Sequence, residues 1–228
     1  MSRLAATIRT DLHVQWRNGF YAATAIVVVM SILLLRWLPT EVSVLILPVV
    51  ILEAVLVNTF YFVSGLLLLE RVEGTFVAQS VTPLRGHEYL GSKIVTLTVL
   101  SLAESLLIAT SVFGVGAWLI GLTLAIMLAA VLFCLVGIAV IVRYDSINEF
   151  LLPSVPWAFV LTLPIFGAFG FGAAEWYLLH PIQGPFSLMQ PGAAHTAGGL
   201  AFAIGYPLLW IVPAVLWSRR ALLRARSA

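Results

Sequence analysis

Long apolar runs separated by short polar breaks dominate the chain. A helix of about 20 apolar residues crosses a hydrocarbon core of about 30 Å while closing all of its own backbone hydrogen bonds. Six segments meet that requirement: residues 20–38, 42–69, 94–112, 117–142, 150–173 and 200–217. The pattern predicts an all-α polytopic membrane protein with six transmembrane helices, forming one transmembrane domain over residues 20–228. The first run lacks a small-residue cleavage site and further runs follow it, so it reads as a retained anchor rather than a removable signal.

Residues 1–19 carry a different period. Leu4, Ile8, Leu12 and Trp16 recur every fourth position, with Arg3, Thr7, Arg9, Asp11 and Arg17 between them. An amphipathic helix of this kind lies in the membrane interface and forms an elbow into the first span. Trp16 and Tyr21 suit the headgroup level there. Residues 174–199 hold Pro181, Pro185 and Pro191 with Trp176, Tyr177 and Phe186, and no lysine or arginine. That stretch is too apolar for a solvated loop, and the expectation is short re-entrant or interfacial helices. His180 and His195 are lone imidazoles within it and do not make a metal site.

Composition agrees with the pattern. Of 228 residues, 61% are hydrophobic and 10% charged, against roughly 45–50% and about 25% in soluble domains. A water-soluble enzyme and a nucleic-acid-binding domain are excluded on that ground. Cys134 is the single cysteine, so neither a disulfide framework nor a cysteine zinc site is available. Basic residues cluster in the cytoplasmic loops of membrane proteins. Six spans would place Arg3, Arg9, Arg17, Arg71, Arg85, Lys93, Arg143, Arg219, Arg220, Arg224 and Arg226 on one side, with Arg36 alone opposing. Both termini are therefore assigned to the cytoplasm.

The cytoplasmic segment 70–93 is the most polar stretch of the chain. It reads as a short helix from Glu70 to about Gln79, a turn, and a second short helix begun by Thr82 as cap and Pro83 at the first helical position. Such a protruding pair is either a solvated loop or a docking knob. Gly86 to Lys93 is the nearest approach to a phosphate loop, but its serine and lysine stand in reverse order on a predicted helix, and Lys93 is the only lysine. No nucleotide site is visible in this chain.

These residues resemble the permease subunits of ABC-2 type ABC transporters, the six-span kind found in bacterial drug exporters. The resemblance covers the whole chain. It rests on the elbow, the six spans with both ends inside, Glu70-Arg71-Val72-Glu73-Gly74-Thr75, then Val81-Thr82-Pro83-Leu84-Arg85, then Glu88-Tyr89-Leu90 and Lys93. It implies a multi-pass protein of the bacterial inner membrane, paired with a second permease copy or a sister permease. It also implies a soluble ABC ATPase partner that binds the ATP and Mg, while this chain binds no cofactor of its own. The loop after span two would carry the coupling helix, with Glu70, Arg71, Glu73, Arg85 and Glu88 making charged contacts and Phe76 supplying an apolar key beside Gly74 and Thr75. Thr82, Pro83 and Leu84 mark its turn.

Glu53 and Glu104 lie inside apolar runs, where a carboxylate at helix centre costs about 2.5–3.5 kcal/mol on insertion scales. With Asn58 they are the candidate substrate pathway, suited to an amphipathic cation. The competing reading is a protonated or hydrogen-bonded interhelical contact with Asn58, Ser101 or Ser105. Span five, with Pro153, Pro156 and Pro164 leading into Gly167, Gly170 and Gly172, reads as a kinked, movable element. The substrate would be a hydrophobic or amphipathic, drug-like or lipid-like compound. A stand-alone secondary transporter, an intramembrane enzyme and a plain anchor are the alternatives. Internal repeats are not evident, and Asp145 with Glu149 is too sparse a pair for the metal of a lipid transferase.

Overall fold

The computed structural model describes residues 3–74, 86–190 and 196–227. Every regular element among them is helical: α1 (Arg3–Arg17), α2 (Phe20–Trp37), α3 (Thr40–Leu56), a π turn (Val57–Tyr61), α4 (Phe62–Val72), α5 (Gly86–Phe113), α6 (Trp118–Ile141), α7 (Ile147–Leu161), α8 (Pro164–Ala168), α9 (Ala174–Leu178), α10 (Gln183–Leu188) and α11 (Ala197–Ser227). The π turn leaves α3 and α4 continuous over Thr40–Val72. Five helices are long and apolar enough to cross a membrane: Phe20–Trp37, Thr40–Val72, Gly86–Phe113, Trp118–Ile141 and Ala197–Ala225.

The fifth expected span, residues 150–173, is not one continuous helix. α7 has 15 residues, about 22 Å of rise, and Pro164 then starts a separate five-residue helix. Pro164 has no N–H to give the Val160 carbonyl, so the ladder breaks there. Gly170 and Gly172, at φ of 79° and 77°, end the helical path. Segment 150–173 is thus a short helix followed by a broken one.

α6 is the hub. Its Leu and Ile side chains are apolar all round, and Ala125, Ala129 and Ala130 are fully buried. Small residues let neighbouring helices approach closely, which is the main source of helix association in lipid. The π turn, α3, α4 and α5 pack on one part of α6, while α10 and α11 pack elsewhere on it. At Gly137 an added Cβ would lie 2.7 Å from Val63 Cγ1 and 2.9 Å from the Phe60 carbonyl oxygen. Only glycine lets α6 meet the π turn at that distance.

Polar groups tie the helix ends together. Ser43 donates its hydroxyl to the Leu35 carbonyl at 2.6 Å, closing the tight turn from α2 into α3. Arg36 donates to the Ser111 carbonyl at 2.7 Å, where a cation meets the carbonyl end of α5. Ser146 caps α7 by accepting from the Glu149 amide at 3.3 Å. The ends of α2 and α5 therefore meet at one end of the bundle. α1, the end of α4, the start of α5 and the α6–α7 connection meet at the other.

Candidate functional site

Two buried polar sites stand out, one at the end of the bundle that carries α1 and one within the long helices.

The first joins α1, α4 and α5. Lys93 enters from the first turns of α5 and is 1% exposed, with Asp11 at 4% and Glu70 at 7%. Its ammonium pairs with Asp11 Oδ1 at 2.5 Å and also with a Glu70 carboxylate oxygen. Two carboxylates against one ammonium leave a formal excess of negative charge. Hydroxyl donors offset it: Ser92 donates to Asp11, and Tyr89 donates to Glu70 Oε2 at 2.6 Å. The Lys93 ammonium also lies 5.3 Å from the centre of the Tyr89 ring. One turn further in, Gln15 of α1 donates to Thr96 Oγ1 at 2.9 Å and accepts from the Tyr21 hydroxyl at 3.2 Å. Fully hydrogen-bonded buried charges of this kind fix the relative position of the helices that carry them.

Around this junction the stem of the polar loop is held in place. Arg71 donates to the carbonyls of Val142 and Tyr144, each at 2.7 Å, and to Asp145 Oδ1 at 2.8 Å. It thereby covers carbonyls just beyond the C-terminal end of α6. Glu73 pairs with Arg17 at the end of α1. Gly74 takes φ of 69° and closes α4, with its amide donating to the Arg71 carbonyl at 3.0 Å. Only glycine takes that left-handed turn without strain.

Of the sequence-predicted loop residues, Glu70 is directed inward to Lys93 and Tyr89, while Arg71 and Glu73 bind this chain's own α6–α7 connection and α1. α4 ends at Val72 rather than continuing as a helix toward Gln79. Glu88 is half-buried in the first turn of α5. Thr75, Phe76, Thr82, Pro83, Leu84 and Arg85 lie outside the described residues, as does His195. Asp11, Gln15 and Tyr89 were not singled out as site residues. The legible signal was a lone Asp on the interfacial helix and a lone Lys beside an apolar run, each needing a counter-charge once buried.

The second site lies between α2, the π turn and α5. Asn58 donates its amide to Glu104, and Thr24 donates to Asn58 Oδ1 at 3.1 Å. All three are buried. The π turn, which often marks functional positions, places Asn58 on this line, and Thr59 beside it donates back to the Val55 carbonyl at 2.6 Å. Glu104 Oε1 and the hydroxyls of Thr98, Ser101 and Ser105 are buried along the same face of α5 without a hydrogen-bond partner. Glu104 thus binds Asn58; Ser101 and Ser105 are not its partners. Glu53 is not brought to this site: it is exposed on α3, on the stripe of Leu45 and Val49.

The model of the fluoroquinolones export permease protein family matches residues 2–225 of the chain. Two proteins named fluoroquinolones export permease protein, from Mycobacterium tuberculosis strains CDC 1551 / Oshkosh and ATCC 25618 / H37Rv, are each 31% identical to it over 215 residues. That alignment covers 92% of this chain and 90% of theirs. No solved structure matches it. A family match over nearly the whole chain, joined to several helices long and apolar enough to span a bilayer, makes this a multi-pass membrane protein that belongs to the fluoroquinolones export permease family.

Proposed function

We propose that this chain is the membrane subunit of an ATP-driven ABC-2 type exporter that moves drug-like compounds, fluoroquinolones among them, out of the bacterial cell. In this reading it crosses the inner membrane six times, with α7, α8 and the segment after them forming the fifth pass and both termini in the cytoplasm. α1 is the interfacial elbow. Two permease subunits, identical or sister chains, form the pathway. A soluble ABC ATPase holding ATP and Mg docks on segment 70–93. Closure of the ATPase pair then favours one of two pathway conformations.

The observation that supports this best is the junction around Lys93. A loop that transmits force needs a stiff root, and both stems of segment 70–93 are fixed: Glu70 to Lys93, Arg71 to the α6–α7 connection and Glu73 to α1. Force on the loop is thereby delivered to α1, α4, α5 and α6 together. The buried Glu104 favours a second reading, a stand-alone proton-linked exporter.

One purification separates the two. The tagged chain, extracted from its own host in mild detergent, is expected to bring down an ATP-binding subunit. Arg85→Glu should release that subunit. Arg17→Ala, which removes only the internal pair with Glu73, should retain it. Cells expressing the complex should accumulate less norfloxacin than cells lacking it. Norfloxacin efflux with no ATPase recovered, and sensitive to collapse of the proton gradient, would favour the stand-alone exporter.

A further inference from the structure

A cavity of about 380 Å³ opens between α6, α7 and α11, closed at one end by the connection from α9 to α10. Its volume is that of a drug-sized ligand. Leu132 and Val136 of α6 form one wall, and Trp157, Trp210 and Trp217 supply ring surface from α7 and α11. The rings of Trp157 and Trp217 are 5.5 Å apart at 42°, tilted rather than stacked on each other.

His180 closes the cavity at one end. Its Nδ1 accepts from the Ile182 amide at 3.2 Å, and the imidazole hydrogen-bonds the Val160 carbonyl that Pro164 leaves without a helical donor. Burial pulls the imidazole down to about 4, so it is neutral at physiological pH. No positive charge therefore sits at that end.

The opposite end differs. Trp217 also lines a second cavity of about 430 Å³, whose other walls include Arg143, Arg220 and Arg224. One tryptophan thus separates an aromatic chamber from a basic one. The basic chamber lies where the α6–α7 connection meets the last turns of α11.

We infer that these two chambers form one binding site for a planar aromatic carboxylic acid, with its ring system against Trp157, Trp210 and Trp217 and its carboxylate toward Arg143, Arg220 and Arg224. Aromatic faces select flat ring systems, and guanidinium groups select carboxylates by paired hydrogen bonds. The acyl chain of an anionic lipid would gain nothing specific from three indoles. The site lies apart from the Glu104 line, and it replaces the expectation of a cationic substrate drawn from Glu53 and Glu104. It rests on the exporter reading above and names the substrate class of that exporter.

The test uses the purified full chain in nanodiscs, with norfloxacin, a fluoroquinolone bearing a carboxylate on a flat bicycle, and its decarboxylated analogue. Binding is read by equilibrium dialysis and export by accumulation in cells. Trp217→Ala should weaken norfloxacin binding at least tenfold. Arg220→Gln with Arg224→Gln, both on exposed positions that leave the fold intact, should weaken norfloxacin at least fivefold and leave the decarboxylated analogue unchanged. Wild-type affinity and wild-type export in the double arginine variant would overturn the site while leaving the exporter reading standing. So would variants that change the retained phosphatidylglycerol but not norfloxacin. A wild-type chain that neither binds nor exports norfloxacin would overturn both.

Discussion

Lys93 sits among Asp11, Glu70, Tyr89 and Ser92 with almost no solvent contact, so each charge depends on the others. Removing one partner of a buried ion pair costs far more than replacing the whole set with neutral groups. Lys93→Met is therefore expected to destabilise the protein by about 3–5 kcal/mol. Adding Asp11→Asn and Glu70→Gln to it should restore much of that loss. Melting temperatures of the detergent-purified proteins check both statements, and a Lys93→Met protein that melts with the wild type would remove the junction from the account. The Glu104 line follows the same logic with one difference. Its acceptor is an amide rather than a charge, and one carboxyl oxygen has no partner, so it holds its helices less completely.

At the scale of elements, the contact between α6 and the π turn depends on the absence of a side chain at one position. Gly137→Ala would ordinarily favour a helix by about 1 kcal/mol. Here the new methyl meets Val63 and the Phe60 backbone, neither of which can yield without moving the turn that carries Asn58. A net loss of about 1–3 kcal/mol is expected, read as a lower melting temperature. Equal or greater stability in Gly137→Ala would mean that α6 and the turn are not held at this distance. α7 shows the opposite economy. Pro153 and Pro156 lie inside it and Pro164 follows it, so the element expected to be the fifth span is short and its continuation is bent. Val160, freed by Pro164, is bound instead by His180 from a segment twenty residues on. The break in one helix thereby becomes the wall of a cavity.

At the scale of the whole molecule, the helix ends sort into two groups. Arg17, Glu73, Arg71 and Asp145 meet at one end, and Arg36 with Ser111 at the other. In the six-pass reading the first group is cytoplasmic. Single cysteines placed at Asn18 and Asp145 should react with an impermeant maleimide only after cells are opened. Cysteines at Val115 and Glu175 should react in intact cells. Cys134 is buried and provides a silent background. Labelling of position 145 in intact cells would reverse the orientation.

The sequence by itself determined that this is a helical membrane protein and where most of its long helices run. That follows because a helix in lipid satisfies its own backbone and declares itself by a local run of apolar side chains. It also carried the resemblance to a drug-exporter permease, since those motifs are contiguous. What it did not determine is which polar residues meet. Asp11 and Lys93 are 82 positions apart, and Asn58 and Glu104 are 46 apart. Their pairing depends on helix rotation and depth, which hydropathy does not encode. The tertiary structure alone turned Glu70 inward, left Glu53 on the outer face of α3, broke the fifth segment at Pro164 and set three tryptophans from two distant helices around one cavity.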